Sequence, residues 1–194
     1  GSFGKGGQFK AAPWHAFVEG ENEGYPQSVL SATYDELSRR MEVMRNDNGD
    51  PNEWDVHHWQ DINPVVCQGL AQLTMGTPGN IYHGGLLHTR VRHFDPAKRR
   101  AGLPRDVAAL VDRITPDSTR LTLVNTGVVE SHEVLVQAGA FGEHQFTTVK
   151  HDGQTTQAND RHVLVRLAPG AQVTLELGMQ FHAGRPTYAF PWRS

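Results

Sequence analysis

The side chains best equipped for chemistry in this sequence are its histidines, 11 in 194 residues. The densest group is Asp55-Val56-His57-His58-Trp59-Gln60-Asp61, followed by His83, His88 and His93. Neutral imidazole is the commonest side-chain metal ligand, and a site needs three or four ligands converging. His57, His58, His83 and His88 are therefore the candidate ligands for one divalent metal. A small metal-dependent enzyme, with Asp55 beside them, is one reading of the chain. The spacing argues the other way. Neighbours such as His57 and His58 point apart on a strand, and a step of five keeps neither a strand face nor a helix face. Neither His-Glu-x-x-His nor a His-x-His pair with a trailing Glu is present. The favoured expectation is no cofactor, with these histidines hydrogen-bonded where a helical part meets a β part.

Carboxylates among tryptophans form a second group. Glycoside hydrolysis uses two carboxylates across a cleft, and aromatic faces stack on sugar rings. Glu19, Glu21, Glu23, Asp55 and Asp61 lie near Trp14, Trp54 and Trp59. Trp14, Trp54, Trp59 and Asp61 are the candidate carbohydrate-binding residues. No catalytic residue is assigned. Cys67 reads as a small buried core residue, although a helix N-terminus nearby would lower a thiol pKa. Arg90, Arg92, Lys98, Arg99, Arg100 and Arg105 would suit an anionic ligand such as a uronic acid or phosphate, or form a solvated basic face. There is no Gly-x-Ser-x-Gly elbow and no phosphate-binding Gly-rich loop with its Lys-Ser/Thr.

The elements that must hold these groups fall into three stretches. Residues 1–26 read as an extended, Gly-rich arm pinned by Phe9, Trp14, Phe17 and Val18. Residues 27–115 read as a helical lead-in with one or two strands. Leu30, Tyr34, Leu37, Met41 and Met44 recur at steps of four and three and predict a helix over 27–46. Asn63-Pro64 reads as an N-cap with Pro at the first helical position, and Gly76 as that helix's stop. Residues 86–94 have β character, and 103–114 read as a short helix with Val107, Leu110, Val111 and Ile114 on one side. Residues 116–194 show short alternating runs broken by Gly, Pro, Asn and Asp, the pattern of a β-sandwich. In one run Leu121, Leu123 and Asn125 face one way. In another Val163 and Val165 oppose Leu164 and Arg166. Pro169-Gly170 reads as a hairpin-type turn. The expected fold is α+β, a short helical part followed by an antiparallel β-sandwich.

Composition narrows the function. With 18 Lys+Arg against 21 Asp+Glu the formal net charge is −3, which argues against a general nucleic-acid binder. No apolar run reaches the length of a membrane span. One cysteine excludes an internal disulfide framework. No signal peptide is visible, which slightly favours a cytoplasmic protein. Gly1-Ser2 has the look of a cloning scar, and three helices are thin for an independent core, so a fragment of a longer protein is expected.

The runs VLVQAGAFGEHQF through VRLAPGAQVTLELGM resemble the β-sandwich that closes many bacterial carbohydrate-active enzymes, behind a helical catalytic barrel. NPVVCQGLAQLTMGTPGNIYHGGLLHTRVRHFD then resembles the last barrel helix and the connection to the sandwich. The resemblance is textural, covers about residues 63–180 and carries over no functional residue. It implies an accessory β-sandwich module of a larger carbohydrate-processing protein, not catalytic on its own. Its partner would be a neighbouring domain or subunit, with sugar contacts through the tryptophans, and an exposed apolar patch would mark where that partner sits. The alternatives are the small metal enzyme and a structural subunit of an oligomer whose arm wraps a neighbour.

Overall fold

The computed structural model describes residues 13–79 and 85–192. Four helices come first: α1 (Pro13–Val18), α2 (Tyr25–Asn46), α3 (Val56–Ile62) and α4 (Gln68–Met75). A 3-10 turn, Gly85–His88, leads into nine strands. These are β1 (Val91–Asp95), β2 (Arg100–Ala101), β3 (Val107–Ile114), β4 (Ser118–Asn125), β5 (His132–Ala138), β6 (Gln145–His151), β7 (Gln154–Asp160), β8 (His162–Leu167) and β9 (Gln172–Gln180). They form a four-stranded sheet, β2-β1-β5-β8, and a five-stranded sheet, β3-β4-β9-β6-β7. Every paired strand is antiparallel to its neighbour. The fold is the expected α+β class with a β-sandwich. No helix among the described residues is long and apolar enough to cross a membrane.

Alternation builds the core between the sheets. Leu121, Leu123 and Asn125 of β4 are buried while Thr122 and Val124 are half-buried. In β8, Val165 is buried and Leu164 and Arg166 are exposed. Phe146, Phe94, Leu121, Leu123 and Leu177 are almost wholly enclosed. Each such side chain contributes about 1.5–3 kcal/mol relative to exposure. Asn125 and Thr119 are the polar members of this row, and the amide is the larger polar group. Asn125 spends its amide on the Glu130 and Ala168 carbonyls, at 2.8 and 3.0 Å, so its burial is compensated.

Several local expectations are corrected. Residues 103–114 are not a helix, because Val107–Ile114 is strand β3, paired with β4. A bulge between Val111 and Arg113 shifts the inward face by one residue. Val107, Val111 and Ile114 are buried in consequence, at steps of four and three that imitate a helical stripe. Asn63-Pro64 does not start a helix. The Asn63 carboxamide accepts from the Val65 N–H at 2.9 Å, a local turn, and α4 begins at Gln68. Gly76 does end α4, in the left-handed region at φ 63° with its N–H on Gln72 O. The Pro169-Gly170 turn is closed by Ala171 N–H to Ala168 O at 3.0 Å, but it carries the chain from β8 in one sheet to β9 in the other. It is a crossing between layers, not a hairpin. β7 is a polar edge strand with no apolar alternation to announce it.

The helices lie on the β3 and β1 side, α4 against both strands and α1 against β3. Residues 13–18 of the expected extended arm are the helix α1, and its Phe17 enters the sandwich core with Trp14, Val18 and Tyr25 packed around it. Residues 1–12, with Phe9, lie outside the described residues. Helix α2 rests on α4, α3 and α1.

Candidate functional site

The sequence-predicted ligand residues do not converge. Trp14 packs beside Phe17 and Tyr25, each ring pair 6.0 Å apart, at the start of α2. Trp54 and Trp59 meet edge-on at 4.8 Å beyond the far end of α2. At 1.5 Å per residue, α2 separates the two groups by about 30 Å. Trp54 stacks on His58 at 4.4 Å, and His58 Nε2 lies 2.5 Å from Asp47 Oδ2 just past the α2 C-terminus. The Gly49 N–H and His58 together hold the Asp47 carboxyl below its ordinary value. Asp55 caps α3 by accepting the His58 N–H at 2.9 Å. This is a ring-stacked clasp between α2 and α3. Asp61 is exposed on α3.

The proposed metal set is likewise dispersed. His57 is exposed on α3, His58 is in the clasp, and His88 ends the 3-10 turn on the way to β1. His83 lies outside the described residues. Among the described residues no group of three His, Cys, Asp or Glu side chains could hold a metal ion. Two adjacent positions on a helix diverge by about 100°, which is why His57 and His58 share no site. His93 fills the other expected role. It is buried in β1 with Nε2 2.6 Å from Thr74 O of α4, joining the helical and β parts. Cys67 is exposed, not a core residue, and immediately precedes α4.

The basic residues do not form one face. Arg100 pairs with Asp95, Arg105 with Asp106, and Arg92 donates to Ala140 O. Lys98 and Arg99 are exposed at the β1–β2 turn. Arg90 differs from all of them. It is 8% exposed, and its Nε and Nη1 are buried without a hydrogen-bond partner. Burial pulls its pKa down to about 10, which still leaves it charged at neutral pH. The guanidinium carbon sits 4.6 Å over the Phe181 ring. A cation–π contact returns about 2 kcal/mol when desolvated. Burying a charge costs several kcal/mol, so the ring alone does not compensate it.

Around Arg90 lies a cluster that motif reading missed. Phe181 also packs edge-on against His144, 4.7 Å away. His144 is 2% exposed, and its Nδ1 accepts the His182 N–H at 3.1 Å. The proton of the neutral ring is therefore on Nε2, 3.7 Å from Glu143 Oε1. Neither Nε2 nor Oε1 has a hydrogen-bond partner. The other Glu143 oxygen accepts the Phe141 N–H at 2.7 Å. Burial holds the His144 imidazole below its ordinary value, outweighing the opposing pull of Glu143. Gly139 permits this packing. A Cβ there would stand 2.6 Å from the Glu143 carboxylate, and its φ is +83°. The segment after β9 closes the cluster through Gly184 N–H to Glu143 O and Thr187 N–H to Phe141 O. The only sequence signal was a Glu-His pair following Gly-Ala-Phe-Gly, which a loop between strands also explains.

A second unusual surface lies on α2, which has no buried residue over 22 positions. Its half-buried side runs through Tyr25, Val29, Thr33, Glu36, Leu37, Arg40 and Met41. Thr33 lies against Gly69 of α4 so closely that a Cβ on that glycine would collide with the hydroxyl. Arg40 donates to Asn63 O at 2.7 Å. Arg39 and Arg40 hold the Glu36 carboxyl down to about 2. The apolar stripe predicted to be the packing face straddles the edge of this side, with only part of it turned outward. Leu30, Tyr34 and Met44 are exposed, Tyr34 by 62%, and Leu37 and Met41 are half-buried.

Fold and site together define an α+β protein with an antiparallel β-sandwich carrying a helical layer on one flank. Residues 4–71 match the model of a family described as a domain of unknown function (DUF8034). The match ends inside α4 and, among the described residues, includes no strand. No curated protein and no solved structure matches the chain.

Proposed function

We propose that this chain is a non-catalytic β-sandwich module of a larger carbohydrate-processing protein, and that its α2 stripe is covered there by a helix of a neighbouring domain. The observation that carries the docking part is the stripe itself. Five apolar side chains line one edge of a 22-residue helix; Leu30, Tyr34 and Met44 are exposed, and Leu37 and Met41 are half-buried. Their steps of four, three, four and three are the 3.5-residue repeat of a helix–helix seam, and this argues for a helix as the occupant. The carbohydrate part rests on the resemblance of the helix-then-sandwich order to enzymes of that class.

The test uses the purified chain and a Leu30→Glu/Met44→Glu variant. Sedimentation over a wide concentration range and binding of an apolar fluorescent dye are measured on both. The expected result is a monomer that binds the dye, with most of the signal lost in the variant. A dimer that the variant dissociates would make a second copy of this chain the occupant and overturn the reading. So would a wild-type chain that binds no dye.

A further inference from the structure

We propose that the cavity in front of Arg90 binds a small organic anion, its carboxylate or phosphate oxygens on the guanidinium and its apolar body against Leu87, Pro116 and Phe181. The cavity holds about 440 Å³ and is lined by Leu87, His88, Arg90, Pro116, Phe181 and His182. That volume lies within the range of small-molecule sites. Its lining contains one arginine, two histidines and no acidic residue, so the charge it favours is negative. Its apolar wall suits a ligand with a hydrocarbon or ring portion over a bare inorganic ion.

Arg90 supplies the reason for a ligand to be there. Its side chain is more than nine-tenths buried, and it makes no ion pair among the described residues. Its Nε and Nη1 are sealed from solvent with no acceptor, so a ligand in the cavity meets the guanidinium through Nη2 and supplies the counter-charge rather than those two hydrogen bonds. Natural structures seldom leave buried donors without partners, and carboxylates and phosphates are the groups arginine pairs with most strongly. Glu143 forms no ion pair with Arg90: one oxygen accepts the Phe141 N–H and the other lies 3.7 Å from His144 Nε2. His182 is presented at the cavity by a strained backbone, φ 54°, fixed by its own N–H on His144. It is exposed and free to add a second donor to a bound anion. The site lies on the sandwich and is separate from the α2 stripe, so either proposal can fail without the other.

Calorimetric titration and melting curves of the purified chain with benzoate, phenyl phosphate, inorganic phosphate and neutral benzyl alcohol test the site. The expected result is saturable binding of benzoate or phenyl phosphate with a raised Tm, and none of benzyl alcohol. The preferred head group tells carboxylate from phosphate, and inorganic phosphate tells how much the apolar wall adds. Arg90→Gln is expected to weaken binding at least tenfold. If that variant does not fold, His182→Ala is the readout, with a three- to tenfold loss at unchanged Tm. Absence of binding by every anion would overturn the proposal, as would equal affinity in both variants. An Arg90→Met chain that melts higher than the wild type and a wild type that binds no probe would make the guanidinium a structural residue only.

Discussion

Helix α2 and the closed end of the sandwich break the same rule in opposite directions. Along α2, large apolar side chains stand in water while Thr33, Glu36 and Arg40 make the contacts. Around Arg90, Glu143 and His144, polar atoms are held out of water without partners. A buried polar group and an exposed apolar stripe are each more informative than a core that obeys the pattern. The difference lies in what each region lacks. The outer edge of the helix lacks an apolar surface against it, and the cavity lacks a counter-charge. The first points to a macromolecule and the second to a small ligand.

The core sets the scale for this comparison. Phe146 is fully enclosed between the sheets, so Phe146→Ala is expected to destabilise the chain by about 3–5 kcal/mol in denaturant unfolding. A loss below about 1 kcal/mol would mean that the sandwich core is not the source of stability. The next largest effect comes from pH. Burial lowers the pKa of His93, His144 and His162. A group depressed in the folded state contributes stability above its unfolded value, near 6.5, and loses it as pH falls through the folded value. Stability is therefore expected to be flat above about pH 7 and to fall below 6.5, by up to about 1.4 kcal/mol per pH unit for each histidine. Chemical unfolding from pH 8 to 5 checks this, and His144→Gln is expected to reduce the slope. A profile that is level through that range would place these rings in water.

What was legible in the sequence follows the range of the forces involved. The strands after residue 118 were readable because alternation is local, as at Leu121, Leu123 and Val165. The α2 helix was readable from its 3–4 steps, but the side it packs with was not. That choice was made by the fit of Thr33 against Gly69, residues 36 positions apart. β3 was misread because one bulge turned a period of two into an apparent helical spacing. Of the Trp candidates, Trp14 is carried away from Trp54 and Trp59 by a helix of 22 residues. Arg90 stood in the sequence as one of six basic residues. Its distinction is burial beside Phe181 and His144, set by a chain segment about 90 positions later.

The proposed docking edge of α2, Leu30, Tyr34 and Met44, is expected to contribute nothing to this chain's own stability. Thermal and denaturant unfolding of the Leu30→Glu/Met44→Glu variant beside the wild type tests it most directly. The account predicts stabilities equal to within about 0.5 kcal/mol, as for surface substitutions. A loss of about 2–5 kcal/mol, the cost of disrupting a core, would show that the stripe is packed within the chain and would contradict the account.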